Sequence, residues 1–357
     1  MDKDRTLVSA TTRALIGYTA EPLTTSDAVS TSEVRRFAQA IMDDNPVFFD
    51  ESAAKASRFR GIVAPGTYPL SCLRPTPLAL DPLRTATARD ETWTNPIWKG
   101  ISQPAEWAGL YGFHTGDDIE LFRLAHLGDI ITGRTSVSNI FEKTGRAGPL
   151  AFFTRRTEWT NQHGEVLCVS QMHTAYKEVK TKGPRAPAHS LLEPAPVAQP
   201  PAPPLHRVNF EEMKVGQELP VMVRRVTPPV IMRWCAAAEI YRRDHFDYTY
   251  ATQTAGLPDI IGSASWAFSC LWSYLSGIAG KDGWTWKISQ QVRARMLMGD
   301  TLSVTGKVLS VEQRKAYGLV EVEFALKNQE GVAVMPGRAT LALPLRTGEP
   351  VPYPFLP

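Results

Sequence analysis

The sequence predicts an α+β protein built from two tandem units, each an antiparallel sheet wrapped around a long central helix. Three observations predict it: a Gly-Asp turn followed by the same succession of strands in each half, helical segments ahead of each set of strands, and a proline-rich stretch between the halves. A length of 357 residues suits two domains of ordinary size. We therefore expect domains at residues 1–182 and 205–357, joined by a linker at 183–204.

The linker is identified by its composition. From Gly183 to Pro204 the chain reads GPRAPAHSLLEPAPVAQPPAPP, with eight prolines. Proline fixes φ and lacks an N–H group, so it cannot contribute a donor to a helix or a sheet. We expect this segment to be an extended, semi-rigid spacer.

Matching turns and strands mark the duplication. Gly128-Asp129 and Gly299-Asp300 each adjoin a segment with a period of two, ITGRTSV and LSVTGKV, which is typical of half-buried antiparallel strands. An NQxG turn follows in each half, at Asn161–Gly164 and Asn328–Gly331. Its glycine supplies the positive φ that tight hairpins need. A duplicated unit explains why the same turns and strands occur in both halves.

Helical segments precede the strands. SEVRRFAQAIMDD has apolar residues at helical spacing, with Ser32 as its predicted N-cap, and TPPVIMRWCAAAEIYRR matches it in the second half. A more apolar helix is predicted to start near Gly66 in the first half and to run through SASWAFSCLWSYLSGIAG in the second. A helix that is apolar on most sides is buried. An antiparallel sheet around one buried helix is the hot-dog architecture.

Bulk properties exclude several classes of function. The net charge is only +3, with no basic run, which argues against a nucleic-acid partner. No window holds the roughly 18 apolar residues of a membrane span, and the charged start does not resemble a signal peptide. Four scattered cysteines show no metal-ligand spacing and are expected to be free thiols: Cys72, Cys168, Cys235 and Cys270. We expect a cytoplasmic protein without metal or organic cofactor.

Two segments carry a resemblance to a known family. FAQAIMDDNPVFFDESAAKASRFRGIVAPGTYP in the first half and WCAAAEIYRRDHFDYTYATQTAGLPDIIGSASW in the second occupy equivalent places. They resemble MaoC-like enoyl-CoA hydratases and dehydratases, whose signature is D-x-N-P-x-H-x-D. The resemblance implies a double hot-dog fold.

The signature is divided between the two copies. In the first copy Asp43, Asn45, Pro46 and Asp50 match, and Phe48 replaces the histidine. The second copy keeps the other part of the pattern. There His245 and Asp247 match, Ile240 stands at the catalytic aspartate position, and Arg242-Arg243 replaces Asn-Pro.

The resemblance implies a hydro-lyase that adds water to an enoyl thioester or removes it from a 3-hydroxyacyl thioester. The implied partner is a small-molecule acyl thioester, on coenzyme A or a carrier protein, with a bulky or unusual acyl group. Assembly as a homodimer, or with another hot-dog protein, is also implied. Two alternatives stay open: a divergent hot-dog enzyme (an isomerase, another lyase or a thioesterase) and a non-catalytic thioester-binding subunit.

The resemblance implies that the second copy carries the chemistry. His245 would exchange the proton at the carbon alpha to the thioester, because an imidazole holds or releases a proton near neutral pH; the alternative is a histidine merely hydrogen-bonded in its loop. Glu239 or Asp244 would replace the missing carboxylate, and Asp43 is a further catalytic candidate. A composite Asp43/His245 centre is not expected, since a pseudo-twofold axis relates the two loops.

Further residues are predicted to bind substrate. The amino end of the buried helix would stabilise a thioester oxyanion through backbone N–H groups. Arginine forks suit the phosphates of coenzyme A or a substrate carboxylate, and a tryptophan on the helix could line an acyl tunnel. The predicted binding residues are Ser263, Ala264, Gly66, Arg242, Arg243, Trp266, Arg293 and Arg295.

Overall fold

The fold is seen in a computed structural model that describes residues 6–73, 100–101, 103–145, 148–178, 206–240 and 242–357. The predicted linker at 183–204 lies outside these residues. We call residues 6–178 the first unit and 206–357 the second unit. The strands are β1 Leu23–Thr24, β2 Tyr111–Leu121, β3 Thr132–Gly145, β4 Gly148–Thr160, β5 Val166–Lys177, β6 Met222–Arg225, β7 Trp284–Gln291, β8 Thr301–Gln313, β9 Tyr317–Lys327 and β10 Ala333–Pro344.

These ten strands form one sheet in the order β1-β3-β4-β5-β2-β7-β10-β9-β8-β6. The order on one side of the β2–β7 pair mirrors the order on the other side, strand for strand, as two copies related by a pseudo-twofold axis require. At this junction β2 pairs antiparallel with β7, and Ile119 lies opposite Ile288. The two units therefore share a continuous hydrogen-bonded sheet.

The predicted turns are present and are used in the same way in both units. Gly128 and Gly299 adopt φ values of +88° and +92°. The aspartate after each glycine accepts a hydrogen bond from a backbone N–H of the same turn: His126 donates to Asp129 at 2.8 Å and Leu297 donates to Asp300 at 2.7 Å. The duplication inferred from the sequence thus extends to side-chain hydrogen bonds.

The helices are α1 Ala10–Arg13, α2 Thr31–Ala40, α3 Glu51–Ala56, α4 Pro228–Ala238 and α5 Ala264–Ala279. The central helix predicted for the second unit is α5, which is buried along most of its length. Helices α2 and α4 pack against each other, and the rings of Phe37 and Trp234 meet edge to face with centroids 5.3 Å apart. In the first unit the segment after Gly66 forms a 3-10 turn at Tyr68–Ser71, and residues 74–99 lie outside the description.

The N-cap of α2 is Ser30, so the prediction of Ser32 was wrong. The Ser30 hydroxyl accepts from the Glu33 backbone N–H at 3.3 Å, and the Glu33 carboxylate accepts from the Ser30 N–H at 3.2 Å. This reciprocal capping box satisfies two donors of the first turn. The helix therefore begins at Thr31, one residue before Ser32.

Both signature loops contain a 3-10 turn, at Pro46–Phe48 and Arg243–His245. The last aspartate of each signature caps the next helical turn of the chain: Asp50 accepts from the N–H groups of Ser52 and Ala53, and Asp247 accepts from that of Tyr250. These two aspartates therefore serve the local backbone.

The four cysteines are buried free thiols, as the sequence predicts. Within the part of the chain that the structure describes, no helix is long and apolar enough to cross a membrane.

Candidate active site

A cavity that brings most of the predicted residues together lies between the two units and has a volume of about 660 Å³. We call it the inter-unit cavity. The second unit contributes His245, its loop and the start of α5, and the first unit contributes β2 and β5. Across the described ranges, no three His, Cys, Asp or Glu side chains lie together in a way that could hold a metal ion.

His245 lies in the 3-10 turn of the second unit's signature loop, and its ring is largely buried. Nδ1 lies 2.9 Å from the carbonyl oxygen of Ile261. A carbonyl only accepts, so Nδ1 carries the hydrogen and Nε2 keeps the lone pair. Burial lowers the pKa of His245, and the nearby Asp244 carboxylate opposes that shift only in part. The imidazole is therefore held neutral, in one tautomer, as a base.

Asp244 is a buried carboxylate beside this ring. Its Oδ1 lies 4.0 Å from His245 Nδ1. Arg242 binds it in a bidentate way, with Nε 3.1 Å from Oδ1 and a terminal nitrogen 2.6 Å from Oδ2. Tyr111, from β2 of the first unit, donates to Oδ2 at 3.4 Å. Although burial favours the neutral acid, Arg242 and the other partners lower the pKa of Asp244. The negative charge so held stabilises an imidazolium at His245.

Helix α5 begins at the cavity wall with Ser263 as its N-cap residue and Ala264 as its first helical residue. The Ser263 hydroxyl accepts from the indole N–H of Trp234 at 3.1 Å and lies 2.9 Å from the Ser265 hydroxyl. It makes no side-chain cap to its own helix. The first turn of a helix presents N–H groups and the positive end of the dipole. Such an end can stabilise an enolate oxygen.

The position of the missing carboxylate is occupied by an apolar side chain. Helix α4 ends at Ala238, and Glu239 adopts a left-handed conformation with φ of +49°. Ala238 and Ile240 line the inter-unit cavity, whereas Glu239, between them, does not. The chain reverses at Glu239 where a continuing helix was expected. Asp244 is the carboxylate that the structure brings to the histidine.

Asp43 and Phe48 make the equivalent loop of the first unit different. Asp43 accepts from the Ser273 hydroxyl of α5 at 2.6 Å and from the Asn45 N–H at 3.0 Å. Burial raises the pKa of Asp43. The buried Phe48 packs against Trp272, with ring centroids 6.4 Å apart. Asp43 does not line the inter-unit cavity, so the structure does not bring it together with His245.

Comparison with known proteins shows what the two units resemble. Residues 14–170 match the model of the FAS1-like dehydratase domain region. A MaoC-like dehydratase structure matches with a TM-score of 0.67 at 20% identity, covering 93% of this chain and 99% of that one. The chain has the double hot-dog fold of these proteins, which confirms the predicted fold class. The match of residues 14–170 to a dehydratase region agrees with the resemblance found in the sequence.

Two further structures show the same fold. A putative MaoC domain dehydratase from Chloroflexus aurantiacus aligns with a TM-score of 0.60 at 14% identity, over 93% of this chain and 96% of that chain. A double-hotdog protein from Mycobacterium tuberculosis aligns with a TM-score of 0.57 at 12% identity, over 92% and 96%. No curated protein matches the sequence.

The four predicted arginines divide into two groups. The inter-unit cavity is lined by Arg242, Arg293 and Arg295. Arg242 is partly buried, whereas Arg293 and Arg295 are exposed. Arg293 and Arg295 follow the end of β7 at Gln291 and lie outside the strand. Arg243 does not line the cavity, because it is bound to Asp247 at 2.6 Å and lies over the Tyr250 ring at 4.7 Å.

Gly66 and Trp266 are packing residues rather than parts of the inter-unit cavity. A Cβ at Gly66 would lie 2.7 Å from the Trp272 indole and 2.9 Å from Leu121, so glycine is required by the contact with α5. The fully buried Trp266 donates from its indole N–H to the Ala40 carbonyl of α2 at 3.1 Å. It faces the contact between helices of the two units. The expected roles of both residues in substrate binding are not supported.

Sequence reasoning missed His114, Asp117 and Tyr111, which belong to β2. A register shift between His114 and Gly116 places a bulge at this point of the strand. Asp117 would otherwise face away from His114, because residues three apart on a regular strand lie on opposite faces. The bulge restores them to one face, where His114 Nε2 and Asp117 Oδ2 are 2.8 Å apart. Strand alternation read from HTGDD could not reveal this pair.

Proposed function

We propose that this protein is a hydro-lyase acting on an acyl thioester, with His245 as the residue that moves the proton. The observation that carries the proposal is the Nδ1 contact of His245 with Ile261, which leaves Nε2 as a base in the cavity where α5 begins. A base and a positive helix end in one cavity suit the formation of an enolate from a thioester.

One imidazole is sufficient for a syn elimination. In the dehydration direction, Nε2 of His245 takes the proton from the carbon alpha to the thioester, and the electron pair moves to the thioester oxygen. The N–H groups at Ala264 and the next residues of α5 stabilise that oxygen. The enolate then expels the 3-hydroxyl, which receives the same proton from Nε2 and leaves as water. Hydration takes the reverse path.

Asp244 acts on His245 and not on the substrate in this proposal. Its carboxylate lies against the protonated side of the imidazole and favours the imidazolium formed after proton transfer. Arg242 and Tyr111 hold the carboxylate in place. Arg293 and Arg295, at the cavity lining, are suited to the phosphates of coenzyme A or to a carboxylate on the substrate.

The test is the consumption of trans-2-enoyl-CoA substrates of increasing size, including aromatic ones, monitored through loss of the enoyl-thioester absorbance. We expect His245→Asn to lower the rate by at least about 100-fold, since general acid–base catalysis contributes 10²–10⁴-fold. His163→Asn is the matched control, because His163 is exposed in the NQxG turn of the first unit. An unchanged rate in His245→Asn refutes the assignment.

The apolar Ile240 favours a second candidate, a double-bond isomerase. Isomerisation moves a proton between two carbons and involves no water molecule that a carboxylate at this position would hold. Reaction in ¹⁸O-labelled water separates the two: a hydro-lyase places the label in a 3-hydroxyacyl product, and an isomerase yields an unlabelled enoyl thioester. Binding of the thioester without either product would indicate a non-catalytic binding subunit.

A further inference from the structure

The wall of the inter-unit cavity that belongs to the first unit carries a polar cluster: His114 and Asp117 on β2 and Thr174 on β5. His114 and Thr174 lie directly opposite each other in the register of the two strands. The cluster is not part of the proton-transfer machinery described above. The cavity lining also includes the apolar Leu73 and Met172 and the charged Lys177 and Arg293.

Asp117 is fixed from two sides. Its Oδ2 is 2.8 Å from His114 Nε2 and accepts from the Gln290 amide at 2.7 Å. His114 Nε2 also donates to the Gly116 carbonyl at 3.0 Å, so this nitrogen carries the hydrogen. The pair is thus oriented by the bulge in β2 and by β7 of the other unit. Only 6% of the Asp117 side chain is exposed.

Gly116 keeps this arrangement tight. A Cβ there would lie 2.5 Å from the carbonyl oxygen of Gln290, so only glycine permits β2 and β7 to pair at the bulge. The pairing brings Gln290 to Asp117. The bulge in β2 therefore holds the Asp117 carboxylate in the cavity wall.

Thr174 gives the second, independent observation. Its side chain is buried, and its hydroxyl oxygen has no hydrogen-bond partner among the residues that the structure describes. A buried hydroxyl without a partner costs about 1–3 kcal/mol. Thr174 lines the inter-unit cavity, so a staggered χ1 rotamer can offer this hydroxyl to a bound group. A ligand group that both donates and accepts would satisfy it.

The cluster lies at a distance from the reacting atoms. Tyr111 reaches Asp244 beside His245, and His114 is three residues further along β2. At about 3.3 Å per residue the cluster begins about 10 Å along the strand from that point. A group bound there lies away from the reacting carbons of the thioester.

We propose that the cluster of His114, Asp117 and Thr174 binds a hydroxyl group on a part of the acyl chain remote from the thioester. The inference rests on the proposed function, since it takes the acyl thioester as the ligand of the inter-unit cavity. A hydroxyl donates to a carboxylate and accepts from a threonine, which an alkyl chain cannot do. The substrate class is therefore a hydroxylated acyl thioester.

Binding and turnover are measured separately to test this. A saturated acyl-CoA with a hydroxyl near its far end and the matching deoxy acyl-CoA are titrated into the full chain by calorimetry. Neither compound can be hydrated, so the result does not depend on catalysis. We expect the hydroxylated compound to bind at least about tenfold more tightly, the value of one neutral hydrogen bond.

Thr174→Val is the matched variant, because it replaces the hydroxyl by a methyl of similar size. We expect it to remove the preference for the hydroxylated compound while binding of the deoxy compound stays within about twofold. Thr160→Val, at the exit of β4 and outside the cavity lining, is the control and keeps the preference. Asp117→Asn is a second variant, whose thermal unfolding is measured first.

Each outcome decides one proposal. Equal binding of the two compounds to the wild type, or equal effects of Thr174→Val on both, overturns the inference even if hydratase activity is found. A preference for the hydroxylated compound that Thr174→Val removes supports the inference. If that preference is seen but the corresponding enoyl thioesters are not turned over, the proposed function fails and the binding site stands.

Discussion

Arg242 binds both carboxylate oxygens of Asp244, and the same carboxylate lies 4.0 Å from the ring nitrogen of His245. Where the family signature has Asn-Pro, this protein has an arginine whose charge keeps a buried carboxylate ionised. The adjacent Arg243 makes a similar pair with Asp247 outside the cavity. The two neighbouring arginines therefore offer a direct comparison.

We expect Arg242→Gln to lower the free energy of unfolding by about 3–5 kcal/mol, because it leaves the Asp244 carboxylate buried without a compensating charge. Urea denaturation at neutral pH measures the loss. Arg243→Gln breaks a partly exposed i,i+4 pair and is expected to cost less than about 1 kcal/mol. Equal losses in the two variants would contradict the importance assigned to the Arg242–Asp244 pair.

Activity should depend on the protonation of His245. Burial lowers the pKa of this imidazole below its usual 6.5, and the proposed base is the neutral form. The rate of hydration is therefore expected to be constant near neutral pH and to fall on the acid side, with its midpoint below 6.5. A pH profile of kcat/KM measures it. A midpoint above the usual value would speak against His245 as the base.

The same shift makes folding stability depend on pH. Because the folded pKa of His245 is below the unfolded one, the unfolded chain binds more protons between the two values. Stability is then expected to rise with pH through that window and to gain nothing more from this residue above the unfolded pKa. Urea unfolding of wild type and His245→Asn, from mildly acidic to neutral pH, isolates the contribution, which should vanish in the variant.

Gly66→Ala tests whether this glycine serves packing. Its Cβ would clash with Trp272 and Leu121, so we expect a loss of about 1–3 kcal/mol in unfolding free energy. Gly61→Ala is the control, since nothing lies within 4 Å of its Cβ position. It should be neutral or slightly stabilising. If Gly66→Ala leaves the free energy of unfolding unchanged and raises KM, Gly66 belongs to the binding site.

Ile240→Asp restores a carboxylate at the position where the family has one. We expect hydration to become at least about tenfold faster, because the carboxylate can position the attacking water. Ile240→Asn has a similar shape without the charge and serves as the control. Similar rates in both variants would show that His245 does not depend on a second base.

Much of the fold could be predicted from local patterns. The Gly-Asp and NQxG turns required glycine at fixed places, and the apolar segment that became α5 could only be a buried helix. The strand order could not be read in this way, because β2 and β7 are joined by contacts between residues far apart in the sequence. The capping box at Ser30 was missed because two serines and a threonine stand together at the start of α2.

The site was predictable only where the family signature applies. His245 and the start of α5 were found through it, and the cavity contains both. Trp266 was misplaced because a helix buried on all sides gives no sign of which face lines a cavity. Glu239 and the His114–Asp117 pair depend on a left-handed residue and on a bulge, two backbone irregularities that change where side chains point without a distinct sequence pattern.

The mirrored strand order determines which strands lie at the two edges of the sheet. The long strands lie inside the sheet, and its two outermost members are β1, with two residues, and β6, with four. Such short borders expose few unpaired amide and carbonyl groups to a passing chain. The pairing of β2 with β7 also keeps two long strands from becoming free edges at which β-rich proteins aggregate.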